Sequence, residues 1–296
     1  MKKINIYHCL FIIISLTFSP LMSNAQSNRF KGGSWKKENI GNCMYKITYD
    51  YKYYKDTIQQ QPFHDVKCLE IGKERTAFFS LLEAKLDSTA IARNKAHNSR
   101  AYNPSKEAKF KSRQSPVPED IYFNYPESGT LFLSGMICYR EYYYKEPIPV
   151  FKWKILSQSD SILGYKCFTA TTFFRGRYYK AWFTQDIPLH YGPYKFNGLP
   201  GLILKIEDKD KLFTWTAIAI ETTNNKTSMF LKQAKPQILT NKKKYDKVNR
   251  MKWKDPVQLY MLQGVKKVAY IDKNGKVQVR KPGSVSLPPI PAIELE

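Results

Sequence analysis

From Thr130 to Glu221 the sequence is a succession of short apolar and aromatic runs broken by turn signals. No other feature constrains the fold as strongly. The runs are TLFLSGMICYREYYYK (130–145), VFKWKIL (150–156), GYKCFTATTFF (164–174), RYYKAWFT (177–184), LILKIED (202–208) and KLFTWTAIAIE (211–221). Each is rich in β-branched and aromatic side chains, the residues that suit a pleated surface. Arg175-Gly176 and Asp208-Lys209-Asp210 suit tight hairpin connections. Neither alternate face of the 212–220 run carries a charge, which predicts a strand covered on both sides.

Upstream, residues 41–53 and 66–72 read as a pair of strands, joined by a polar loop over 54–65 that contains Pro62. Near-helical spacing of Leu81, Leu82, Ala84, Leu86 and Ile91 predicts a helix over 79–96. Residues 97–120, with Pro104, Pro116 and Pro118 among Lys, Ser and Asn, read as an exposed basic loop. The C-terminal third offers a basic helix over 241–251, a hairpin turning at Asn274-Gly275 and a Pro-rich tail. The expected fold class is therefore mainly β: a curved antiparallel sheet or half-barrel of seven or more strands with one or two helices.

Residues 1–25 read as a secretory signal peptide. Lys2 and Lys3 precede an apolar run from Cys9 to Leu21, and Ser23-Asn24-Ala25 supplies small residues before a cut at Gln26. The run is shorter than the roughly 20 residues of a spanning helix. No transmembrane segment is expected after signal removal, and residues 26–296 are expected to form a single exported domain in the periplasm or cell envelope. Export would leave Cys43, Cys68, Cys138 and Cys167 in an oxidising compartment. The favoured disulfides are Cys43–Cys68 and Cys138–Cys167, each flanking one local connection between strands.

The net charge is +23, and it is concentrated. Residues 93–113, 226–254 and 266–281 hold most of it. Lys242, Lys243, Lys244, Lys247 and Arg250 make the densest basic surface. In an exported protein this points away from nucleic acid. It points toward anionic lipid headgroups or another polyanion, or toward an acidic partner in the envelope.

Motifs for chemistry are sparse. The chain has no GxSxG, P-loop, HExxH or GxGxxG. His64 and Cys68 are four apart but fall in loop and strand, so no metal site is expected. Asp186 and His190 are four apart in DIPLH, with Pro188 between them, and show no nucleophile nearby. No catalytic residue and no cofactor is assigned.

One segment is far more specific. Residues 173–208 contain Gly198-Leu199-Pro200-Gly201-Leu202-Ile203, and the chain resembles the GLPGLI family of exported bacterial proteins, named for that hexapeptide. Gly164-Tyr165-Lys166-Cys167, Arg175-Gly176-Arg177, Trp182-Phe183-Thr184, Asp186-Ile187-Pro188 and Gly192-Pro193 resemble its neighbouring blocks. Ala292-Ile293-Glu294-Leu295 resembles its closing NPIEL, with Ala in place of Pro. The resemblance implies export and no established activity. In the hexapeptide, Pro200-Gly201 suits the centre of a type II turn. Pro188, Tyr191, Pro193 and Tyr194 form an aromatic, Pro-rich rim beside it. The loop is a candidate binding element or a packed corner. Three functions follow as expectations: a non-catalytic carrier of an apolar or lipid-like ligand, a protein-interaction module of the envelope, and, less favoured, a hydrolase built on Asp186 and His190.

Overall fold

The computed structural model describes residues 36–54, 62–81, 84, 119–137, 140–233, 237–271, 276–286 and 293–294. The signal peptide, most of the basic loop at 97–120, Cys138 and the Asn274-Gly275 turn lie outside the described residues. The first six strands are β1 (Lys36–Tyr53), β2 (Phe63–Gly72), β3 (Thr76–Ser80), β4 (Glu119–Phe123), β5 (Thr130–Ile137) and β6 (Arg140–Pro147). Six more follow: β7 (Lys154–Ile162), β8 (Tyr165–Phe174), β9 (Arg177–Thr184), β10 (Leu202–Asp208), β11 (Phe213–Gln233) and β12 (Gln237–Leu239). Helices α1 (Lys242–Lys254) and α2 (Pro256–Leu262) precede a small hairpin, β13 (Val268–Ile271) and β14 (Val277–Arg280).

The fold is mainly β, as expected. One sheet has twelve strands in the order β12-β6-β5-β4-β3-β2-β1-β11-β10-β9-β8-β7. It is two antiparallel meanders, β1 to β6 and β7 to β11, joined where β1 pairs with β11. The short β12 adds in parallel beside β6. Strand alternation sets the faces. On β1, Ile47, Tyr49, Tyr51 and Tyr53 are fully buried, whereas Lys46, Thr48, Asp50 and Lys52 point the other way.

The sheet does not close into a barrel by strand pairing, yet it curls far round. In the sheet order β6 and β8 stand nine strand spacings apart. A flat sheet would separate them by about 43 Å, at about 4.8 Å per spacing. Instead Glu146 of β6 lies 2.9 Å from Arg175 in the β8–β9 turn. The two wings therefore meet at one end, and the main core fills the inner face between them. A smaller cluster, including Ile40, Cys43, Tyr122, Phe132, Met229 and Leu231, lies where the outer halves of β1 and β11 pair.

Several local expectations change. The 130–145 run is two strands, β5 and β6, paired as a hairpin. Strand β7 begins at Lys154, not Val150, because Phe151 and Trp153 pack against Phe196 instead. Phe79 and Ser80 end strand β3; Leu81 and Ala84 are helical, and the rest of the 79–96 prediction lies outside the described residues. Strand β11 is covered on one side only: Phe213, Trp215 and Ala217 are buried, while Ile218 is 49% exposed.

The expected disulfides are also corrected. Cys43, Cys68 and Cys167 are free and buried. Cys43 pairs across the sheet with Gly72, whereas Cys68 pairs with Thr48. Four residues of strand, about 13 Å, exceed the roughly 7 Å reach of a disulfide. Cys167 of β8 is likewise free, and its expected partner Cys138 lies outside the described residues.

Candidate functional site

Residues 185–201 connect β9 to β10, which are sheet neighbours, so the chain leaves the sheet and returns beside its own exit. The excursion is a folded corner held by backbone hydrogen bonds. Leu202 N–H donates to Ile187 O (3.0 Å), Ile203 N–H to Tyr191 O (3.0 Å) and Gly198 N–H to His190 O (2.9 Å). Tyr191 and Asn197 form an antiparallel bridge across it.

The hexapeptide sits at the end of this corner. Gly201 N–H donates to Leu199 O (2.8 Å), so the chain turns tightly about Pro200 rather than through the expected type II turn. Gly201 has φ +150°, and a Cβ there would lie 2.0 Å from Thr184 O. Only glycine fits. Leu199, Leu202 and Ile203 are buried in the main core, and Gly198 and Pro200 are exposed. Tyr49 Oη donates to Ile203 O (2.7 Å), tying the motif to the central strand.

The rim residues split. Pro193 and Tyr194 are buried, and half-buried Tyr191 meets Phe123 of the other wing edge-on at 5.5 Å. Asp186 and Pro188 are exposed. Trp182 faces the opposite side of β9 from Phe183, with Lys205 at 4.2 Å and Lys180 at 5.0 Å from its ring. The structure does not bring Asp186 to His190. His190 Nδ1 is instead 2.7 Å from Leu199 O and donates to it, so the ring supports the hexapeptide's backbone.

Beneath the corner lies a buried ionic cluster. Lys195 is fully buried, with Nζ 2.6 Å from Glu146 and 2.7 Å from Glu294. Arg175 bonds both of these carboxylates. Lys242 at the start of α1 reaches Glu294 (3.1 Å) and Asp246 (2.7 Å). Tyr194 Oη donates to Glu294 (2.8 Å), and Tyr179 Oη to Ile293 O (2.8 Å). Burial opposes the charge on Glu294. Lys195 and Arg175, helped by Lys242, outweigh it and hold the carboxyl down at about 2. Burial also opposes Lys242, but Asp246 and Glu294 raise it overall. The cluster joins β6, the β8–β9 turn, the corner, α1 and the C-terminal tail, across the seam that strand pairing leaves open.

A second polar feature lies on the inner face of β1, β2 and β11. Asp65 and Lys67 form a buried ion pair at 2.9 Å, and Ser80 Oγ donates to Asp65 (2.9 Å). Beside it Tyr51 stacks on Trp215 with centroids 4.7 Å apart. Tyr51 Oη and Trp215 Nε1 are both buried, and among the described residues neither has a hydrogen-bond partner. Burial first, then nearby groups including Tyr53 and Asp65, push the Tyr51 hydroxyl well above its ordinary pKa, so it is neutral.

Sequence reasoning missed Glu146, Lys195, Asp65, Lys67, Tyr51 and Trp215 as site residues. Lys195 had one signal: a lone cation inside the apolar run Pro193–Phe196. Of the basic surface, Lys243, Lys244, Lys247 and Arg250 are exposed, whereas Lys242 belongs to the ionic cluster.

These features define an open, curled β-sheet protein whose seam is fastened by buried ion pairs and capped by a glycine-dependent corner. Residues 175–205, from the fastening arginine through the corner into β10, match the family described as "Protein of unknown function (Porph_ging)". No curated protein matches the chain. Solved structures to which it is similar include "Structure of PNGF-II in P21 space group" and "Structure of PNGF-II in C2 space group". Identities are 16% and 14% and TM-scores 0.44 and 0.43. Each likeness covers 69% of this chain and 32% of the other, so the chain spans about a third of their length.

Proposed function

We propose that this chain is a GLPGLI-type protein, exported to the periplasm or cell envelope, that binds an apolar or lipid-like ligand on the inner face of its sheet without transforming it. The observation that carries the reading is the pair of buried, unpartnered polar atoms, Tyr51 Oη and Trp215 Nε1, amid the aromatic surface of Tyr53, Phe63 and Phe213. A buried donor without a partner costs about 1–3 kcal/mol. Tyr51 and Trp215 are fully buried in the core, so a ligand with an apolar body and one polar group relieves that cost by entering among the side chains that now cover these rings. The Asp65–Lys67 pair beside Tyr51 makes this the most polar part of the inner face of β1 and β2. The acid–base reading loses ground, because His190 spends its Nδ1 proton on a backbone carbonyl.

The test is native mass spectrometry of residues 26–296 made in an oxidising periplasm, beside the Tyr51→Phe variant. The reading expects a bound mass that extracts into organic solvent and is reduced in the variant. A bare protein mass, with Tyr51→Phe simply more stable, would mean that the hydroxyl is an unsatisfied core group and that the inner face is only packing.

A further inference from the structure

We infer that the α1–α2 corner is a docking surface for an anionic phospholipid bilayer. The inference does not rest on the inner-face ligand reading, since the two surfaces share no residue. Along α1, Lys243, Lys247, Arg250 and Lys254 recur at the spacing that puts them on one helix face, and all four are exposed. The opposite side, with Tyr245 buried and Val248 and Met251 half-buried, packs on the main core. Where the helical segment ends, Met261 is 43% and Leu262 67% exposed. The segment thus carries a basic stripe on α1 and, at the end of α2, two exposed apolar side chains, and an anionic bilayer surface can receive both.

Among the described residues the charge of this surface is strongly positive. Residues 242–267 contain two acidic groups, Asp246 and Asp255. Asp246 is held by Lys242, 2.7 Å away. Asp255 uses one oxygen to cap α2 at Gln258 N–H (3.0 Å) and the other to accept from Gly283 N–H (2.8 Å). Both acids are half-buried and already engaged, so cations outnumber free carboxylates along the stripe. The complement of such a surface is a dense anionic plane that also accepts apolar side chains. A headgroup layer over acyl chains provides both at any point of its plane, whereas an acidic protein would need an apolar pocket placed beside its carboxylates.

The experiment is co-sedimentation of residues 26–296 with vesicles of equal phosphatidylglycerol and phosphatidylcholine, and with phosphatidylcholine alone. We expect binding to the first and at least about tenfold weaker binding to the second. Lys243→Glu with Lys247→Glu and Arg250→Glu should abolish it. Met261→Ser with Leu262→Ser should leave attachment at low salt but remove the fraction that survives about 1 M salt, where exposed charges are screened. These side chains are exposed, and circular dichroism of each variant checks that the fold is kept. Three results would each overturn the inference: no binding to anionic vesicles, binding that the charge reversal leaves unchanged, or salt-resistant binding that persists in the serine variant. Retention of an acidic protein with no vesicle binding would overturn it in favour of a protein partner.

Discussion

At the scale of single residues, the two glycines of the hexapeptide answer to different physical constraints. Gly201 faces Thr184 O, while nothing lies within 4 Å of a Cβ placed on Gly198, whose φ is +86°. Gly198→Ala should therefore cost about 1 kcal/mol, the strain of a left-handed conformation. Gly201→Ala should cost about 3 kcal/mol or more, because the obstacle is backbone of the neighbouring strand. Urea unfolding midpoints compare the two directly. Equal losses would contradict the packed corner. Glu294 gives a second residue-scale expectation. Its carboxyl titrates at about 2 in the fold against an ordinary 4.5. The stabilisation is thus fully present above about pH 4.5 and is lost as pH falls toward 2, about 3 kcal/mol in all. Asp208 runs the opposite way, because burial raises its pKa despite the hydrogen bond from Phe213 and the charge of Arg177. Comparing Glu294→Gln with the parent across pH 2–7 isolates the effect: the variant should be weaker at pH 7 and show less acid dependence. Sequence carried Gly201 and Glu294 only as members of a motif. Their work depends on Thr184 and on Lys195, contacts that no local spacing encodes.

Elements were legible where alternation was strong. Strands β8, β9 and β10 fall within a residue of the runs read from sequence, because each is short, apolar and bounded by turn residues. Strand β11 was read short, since the stretch from Thr222 to Ser228 is polar and is held in register by β1 rather than by its own composition. The same ladder decides the cysteines. Proximity in sequence suggested bridges, but pairing partners, not sequence distance, set which thiols meet. Burial raises the Cys68 thiol well above its ordinary pKa and Cys167 to about 11, in each case against smaller opposing contributions. A protonated, buried thiol is a poor nucleophile. Under native conditions near pH 8, Cys43, Cys68 and Cys167 should resist iodoacetamide, and all three should label in urea, as peptide mass mapping would show. Labelling that required a reductant first would restore the disulfide reading. Helix α1, read from sequence as 241–251, spans Lys242–Lys254; Asn241 Oδ1 caps it at Lys244 N–H (2.9 Å), so Asn241→Ala should cost about 1 kcal/mol.

At the scale of the whole molecule, the sheet must hold a curl without the strand pairing that closes a barrel. The alternation pattern predicts an inner face but says nothing of what joins its ends, because Glu146, Arg175, Lys195 and Glu294 come from four separate parts of the chain. Two carboxylates serve the same buried cations there. With Glu294 removed, Lys195 and Arg175 still have Glu146; with Glu146 neutralised, they still have Glu294. With both gone, a fully buried ammonium has lost the two carboxylates that bind it, and an uncompensated buried charge costs about 3–5 kcal/mol. Deleting residues 292–296, which removes Ile293 and Glu294, and replacing Glu146 by Gln should therefore each be tolerated singly with a moderate loss. Combined, they should destabilise by clearly more than the sum of the two, a coupling that unfolding of the four proteins in a double-mutant cycle measures. If the two lesions simply add, the carboxylates act independently and the wings of the sheet are held together by apolar packing of the corner alone. If they are strongly coupled, the ionic cluster is the fastening of the seam.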